Sequence, residues 1–180
     1  MSRKLHIGGV APMPGWEILN MLPGPNVDHV SNANDLAQFS DQSFSEIYAS
    51  HVLEHLDYNT ELLATLKEWK RVLEPGGKLY LSVPDMDVLA KLFLAKNQLT
   101  VEERFFVMRM MFGGHIDKYD YHVVGLNQEF LGTYLVEAGF HAITRVDEFK
   151  IFPDTSSMRY KGVLISLNMT ATRMVIDMGV

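Results

Sequence analysis

Two short stretches concentrate the side chains able to move protons or hold ions. In His51-Val52-Leu53-Glu54-His55 two imidazoles flank a carboxylate. On a helix this spacing would put both His on one face with Glu54 as base, the arrangement of an inverted zinc-hydrolase motif. In GGHIDKYDYH, residues 113–122, His115, Asp117, Tyr119, Asp120, Tyr121 and His122 supply donors, acceptors and ring faces within ten residues. Imidazole titrates near neutrality, so His122 oriented by Asp120 is read as a general base for a substrate hydroxyl or amine. His55 is the other catalytic candidate; its structural alternative is to hold the loop, with Glu54, by bonding nearby backbone. A polar loop is either a solvated connector or a site, and loops carry sites more often than scaffolds do. A gathering of His51, His55, His115 and His122 round a metal stays open, and no metal ligand is assigned.

The elements around these residues fix where they must lie. Glu46 to Ser50 is a short β-favouring run, and Leu62, Leu63, Leu66, Trp69 and Leu73 then fall on one helix face. Asn59 is the expected cap of that helix, Lys70 and Arg71 suit its C-terminal dipole, and Pro75-Gly76-Gly77 cannot continue it. Lys78 to Val83 reads as a buried strand, and Asp85 caps a helix over 86–94. This is a βαβ unit, whose parallel strands belong to a sheet with helices on its faces and ligands at the strands' carboxyl ends. HVLEH therefore sits at a strand-to-loop junction, which argues against the zinc-hydrolase reading. Thr100 and Glu103 form a capping box before a helix whose face is Val101, Phe105, Met108 and Phe112, read as core, with a dimer face or an apolar lid as alternatives. Asn127 caps a further helix stopped by Gly139, and 141–147 with 162–169 make a terminal strand pair. The residues from Ala171 onward are expected to fray or to contact a neighbour.

SHVLEHL, RVLEPGG and a strand ending in VPD together resemble the second half of class I S-adenosylmethionine-dependent methyltransferases, in particular the type 11 group and its small bacterial relatives. WEILN and NDLAQFSDQSF upstream, and GGHIDKYDYH, EAGF and ISLN downstream, extend the resemblance over roughly residues 4 to 170. It implies an α/β fold: a three-layer, doubly wound, mostly parallel sheet of the Rossmann-like methyltransferase type, closed by a C-terminal antiparallel hairpin. It implies S-adenosyl-L-methionine as cofactor, with Gly8 and Gly9 at its methionine end, Asn20 at the ribose, Asp35 and Leu36 at the adenine, and His51 near the sulfonium. Three departures from the family pattern stand out. Gly8-Gly9-Val10-Ala11 lacks G-x-G spacing, Asn20 replaces an acid, and Ser45 replaces an Asp. The connections after Ile7 and after Asn20 are too short for crossover helices, so this edge of the sheet is expected to be trimmed.

At 180 residues and 47% apolar content the chain supports one core, read as a single domain over 1–180 with 95–126 as an insertion on the substrate side. The absence of Cys excludes disulfides, thiolate metal sites and a Cys nucleophile. A net charge of −6 without a basic block disfavours nucleic acid, and no apolar run is long enough for a membrane. The expectations are a cytoplasmic protein, a small-molecule substrate, and a homodimer as a compatible assembly. The leading function is methyl transfer to an unidentified small molecule on O, N or C. A methyltransferase-like binding or scaffolding module without catalysis is the alternative, and a zinc hydrolase the remote one.

Overall fold

The computed structural model describes residues 2–175. Seven strands form one sheet in the order β3-β2-β1-β4-β5-β9-β6. They are β1 (Arg3–Ile7), β2 (Trp16–Asn20), β3 (His29–Val30), β4 (Phe44–Ser50), β5 (Leu73–Pro84), β6 (Phe140–Val146) and β9 (Ser166–Arg173). β1 to β5 run parallel, and β9 enters antiparallel between β5 and β6. The remaining strands, β7 (Arg159–Tyr160) and β8 (Val163–Leu164), pair in a small separate ribbon. This is the mostly parallel sheet with a terminal antiparallel hairpin that the sequence implies.

Alternation along the strands separates two faces. Leu5 and Ile7 of β1 and Ile47 and Ala49 of β4 join the main core, together with Leu62, Leu66 and Trp69 of α1 (Leu62–Val72) and Leu131 and Leu135 of α4 (Gln128–Glu137). His6, Tyr48 and Tyr80 point the other way, where Phe149 and Phe152 cover them. No helix links β1, β2, β3 and β4, as the short connections require. Aromatic side chains on a coil therefore do part of the covering that crossover helices perform elsewhere.

Local signals held unevenly. Asp85 caps α2 (Met86–Leu94) by accepting from the Asp87 and Val88 amides, and Thr100 with Glu103 closes the capping box of α3 (Val101–Phe112). Asn127 caps α4, and Gly139 leaves it at a φ of +85°. Asn59 does not cap α1: Asp57 Oδ1 accepts from the Asn59 and Thr60 amides instead, and the helix begins at Leu62. The Glu61 and Leu62 amides, which a cap at Asn59 would engage, donate instead to the Asp57 backbone carbonyl at 2.9 and 3.0 Å. The face assigned to α3 is also corrected. Val101, Phe105 and Phe112 are exposed and Val107 is the buried residue, packed with Leu89 and Ile165 in a satellite core. The expected fraying from Ala171 is not seen through Arg173. Ala171 is buried in β9, and Arg173 donates to the Lys70 and Arg71 carbonyls at 2.9 Å. Residues 176–180 lie outside the described residues.

Candidate functional site

The carboxyl ends of β1, β2 and β4 open on one shared cavity of about 480 Å³. Ile7 and Gly8 line it from β1, Leu19 and Asn20 from β2, Ser31 to Asn34 from the turn after β3, and His51 and Val52 from the end of β4. Parallel strands present their carboxyl ends on one edge, which is why loops far apart in sequence meet there. A larger hollow of about 730 Å³ along the outer side of α4, between Asp87 and Glu137, touches none of these strand ends.

Gly8 is a cradle residue. Its φ is +78°, and a Cβ there would lie 2.7 Å from Val52 Cγ2, so a side chain would be strained and would collide. Gly9 does not reach the cavity. It is buried, and a Cβ on it would strike the His6 ring at 2.5 Å, so this glycine serves packing on the opposite face. Asn20 lines the cavity but spends its side chain on the protein, donating to the Gly9 carbonyl at 3.0 Å and accepting from the Leu22 amide at 3.0 Å. Asp35 and Leu36 are displaced from their expected place. Asp35 is exposed and accepts from the Ala37 amide as a turn residue, and Leu36 is fully buried in the core. Asn32 and Asn34 stand at the cavity in their stead. Glu61, before α1, is the one carboxylate among the lining residues, and its Oε2 accepts from the Asp57 amide at 2.9 Å.

HVLEH does not lie on an α-helix. His51 follows the last residue of β4 at a φ of +55°, and Leu53–His55 form a single 3-10 turn, so the hydrolase geometry is absent. The Ser166 hydroxyl donates to the Thr155 carbonyl at 2.9 Å, so His51 Nε2 donates to Ser166 at 3.0 Å. That leaves His51 Nδ1 facing Glu54 Oε1 at 3.1 Å. Burial pushes the Glu54 carboxyl up, but His51 and His55 beside it prevail and hold it below the usual carboxylate range.

The polar segment after α3 reaches this same place. The Val123 amide donates to the Glu54 carbonyl at 2.8 Å, and His55 Nδ1 donates to the Tyr121 carbonyl at 3.0 Å. These bonds stitch residues 121–123 along the 3-10 turn, so that Lys118, Tyr119, Tyr121 and Val123 close one side of the cavity. They also set His122 beside Glu54 and His55, with ligand atoms of all three within 4.8 Å of one another. The expected Asp120–His122 pair does not form. The Asp120 carboxylate accepts from the Ile116 amide at 3.3 Å, and no hydrogen bond joins it to His122 among the described residues. Burial lowers the pKa of His122, opposed by the nearby Glu54 carboxylate. His115 stays apart, stacked on Tyr121 at 3.9 Å and bonded to the Phe112 carbonyl.

Cavity, strand order and hairpin together define a class I methyltransferase fold. The family model for a methyltransferase domain matches residues 21–81, so this segment, which runs from the end of β2 into β5, is similar to that family. Among solved structures it is similar to the CurJ carbon methyltransferase, at 17% identity and a TM-score of 0.54. That match covers 97% of this chain but only 49% of the other, so the chain spans about half its length. It is also similar to a SAM-dependent methyltransferase from Methanosarcina mazei, at 15% identity and a TM-score of 0.58, covering 97% and 93% of the two chains. One from Archaeoglobus fulgidus gives 14% identity and a TM-score of 0.58 over 96% and 86%. No curated protein matches the sequence. Among the described residues no helix is long and apolar enough to cross a membrane.

Proposed function

We propose that the chain binds S-adenosyl-L-methionine in the 480 Å³ cavity and transfers its methyl group to a small molecule. The carrying observation is the convergence of the β1, β2 and β4 ends, with Gly8, on a single hollow. Its walls suit an amphipathic nucleoside: Ile7, Leu19, Val52 and Leu56 are apolar, whereas Ser31, Asn32 and Asn34 offer donors and acceptors. The sulfonium supplies an activated methyl carbon, so the protein's tasks are to position the acceptor and to exclude water. Gly8 admits the close approach of a ligand to the β1 backbone. Glu61 supplies the negative charge and acceptor capacity that Asn20, with its amide spent on the Gly9 and Leu22 backbone, does not bring. Tyr119, Tyr121 and Lys118 form the side on which an acceptor enters, with His55 lining the cavity beside them. The exposed Val101, Phe105 and Phe112 on α3 support a homodimer as the assembly.

The occupied side chain of Asn20 also favours a second reading, a methyltransferase-like binding module without turnover. Calorimetric titration with S-adenosylmethionine, against the wild type and Gly8→Val, separates the readings. The enzyme reading expects micromolar one-to-one binding that Gly8→Val abolishes. No response at millimolar cofactor would favour the module.

A further inference from the structure

We propose that Glu54, His55 and His122 bind one divalent transition-metal ion of borderline softness, Zn2+ foremost, beside the cavity. The three residues come from two segments, the turn after β4 and the loop after α3, and their ligand atoms lie within 4.8 Å of one another. Two nitrogens and a carboxylate oxygen are a donor set such ions accept, commonly with a fourth position left to water or substrate.

The state of each donor carries the inference. Glu54 is 1% exposed, and while Oε1 faces His51 Nδ1 at 3.1 Å, Oε2 has no hydrogen-bond partner among the described residues. A buried carboxylate oxygen without a partner is costly, and the His51 contact at Oε1 leaves Oε2 unsatisfied. His122 Nδ1 is likewise buried and unpartnered. His55 donates through Nδ1 to the Tyr121 carbonyl, which fixes the tautomer and leaves the Nε2 lone pair free. A backbone carbonyl bonded to the far nitrogen is the usual way a metal-binding imidazole is oriented. Three unfilled acceptors, Glu54 Oε2, His122 Nδ1 and His55 Nε2, thus converge among the described residues. A tetrahedron of ~2.0 Å bonds has edges of about 3.3 Å, so small side-chain rotations would draw the donors in. His51, tied to Ser166, and His115, stacked on Tyr121, are excluded from the set.

This inference does not depend on methyl transfer, and its test uses no S-adenosylmethionine. The tag-free full chain, freed of metal with a chelator, is titrated with Co2+ while the visible absorption of the bound ion is followed, and then with competing Zn2+. One equivalent is expected to bind. His122→Asn and Glu54→Gln should each weaken binding by more than the 10–100-fold that changes of supporting residues typically cost. His115→Asn should leave it unaltered. Circular dichroism reports folding of each variant, and if Glu54→Gln does not fold, His122→Asn carries the test. Absence of stoichiometric binding, or full binding by folded His122→Asn, overturns the proposal.

Discussion

His6 and His122 each bury an Nδ1 that finds no hydrogen-bond partner among the described residues, and burial lowers the pKa of both. Their surroundings differ. His6 is walled by rings, 4.0 Å from Phe152 and 5.0 Å from Tyr48, on the face of the sheet covered by coil. His122 stands at the cavity edge, 5.0 Å from the His55 ring and beside the buried Glu54 carboxylate. An orphaned imidazole is therefore no site by itself. What distinguishes the two is whether the neighbours are ring faces, which treat the imidazole as packing, or further lone pairs, which make it a ligand.

The sharpest way to break this comparison is to exchange the losses. His122→Asn should lower metal affinity more than 100-fold, beyond the range for supporting residues, with little change in thermal stability. His6→Asn should do the reverse in the same titration and melting experiments. Equal behaviour of the two variants would erase the distinction.

Next in size is a pH effect of His6. Its folded pKa is lowered from 6.5 to about 4, chiefly by burial. Between those values the unfolded chain binds the proton and the folded chain does not, so stability is lost as pH falls from 6.5 towards 4, by at most about 3 kcal/mol. His6→Phe should reduce the slope of urea-unfolding free energies across that window; a slope unchanged in the variant would assign the effect elsewhere.

Smaller still is the contribution of Tyr48, whose hydroxyl donates to Asp154 at 2.8 Å and contacts Ser156 at 3.1 Å. Tyr48→Phe keeps the ring layer and removes the anchor, and chemical denaturation should show a loss of about 1–2 kcal/mol. The smallest effect belongs to Glu17, held down to about 2 by Arg3, and then by His29, against the ordinary 4.5. Its stabilisation is present above 4.5 and lost as pH falls towards 2. Because the pairs are partly solvated, Glu17→Gln should cost below about 1 kcal/mol at neutral pH by the same unfolding measurement.

The fold was legible wherever a local rule had no competitor. Asp85, the Thr100–Glu103 box and Asn127 cap their helices as read, and α2 spans 86–94 as expected. The missing crossover helices followed from counting residues between Ile7 and Trp16. Legibility failed where tertiary partners chose between equal local options. A turn built on Asp57 took up the amides before α1 and left Asn59 without a capping role, and α3 turned Val107 inward rather than Val101 and Phe105 because the surface available to it was the small one made by Leu89 and Ile165. At the site, the ends of β1, β2 and β4 could be placed because parallel strands share an edge. Asp35 and Gly9 lie off the cavity, and a turn Asp and a packing Gly look the same in sequence as ligand-binding ones. Glu61, Asn32 and Asn34 carried no signal beyond lying near strand ends. The meeting of His122 with Glu54 rests on the Val123–Glu54 backbone bond across the loop, which no spacing in the chain reveals.

The measurement that most directly tests the shared hollow is a crystal grown with saturating S-adenosylhomocysteine, the stable product analogue of the methyl donor. The account predicts ligand density against Gly8 and Glu61, with the nucleoside base beside Asn32 and Asn34. Solvent alone in the cavity, or the ligand seated away from the β1, β2 and β4 ends, would contradict it.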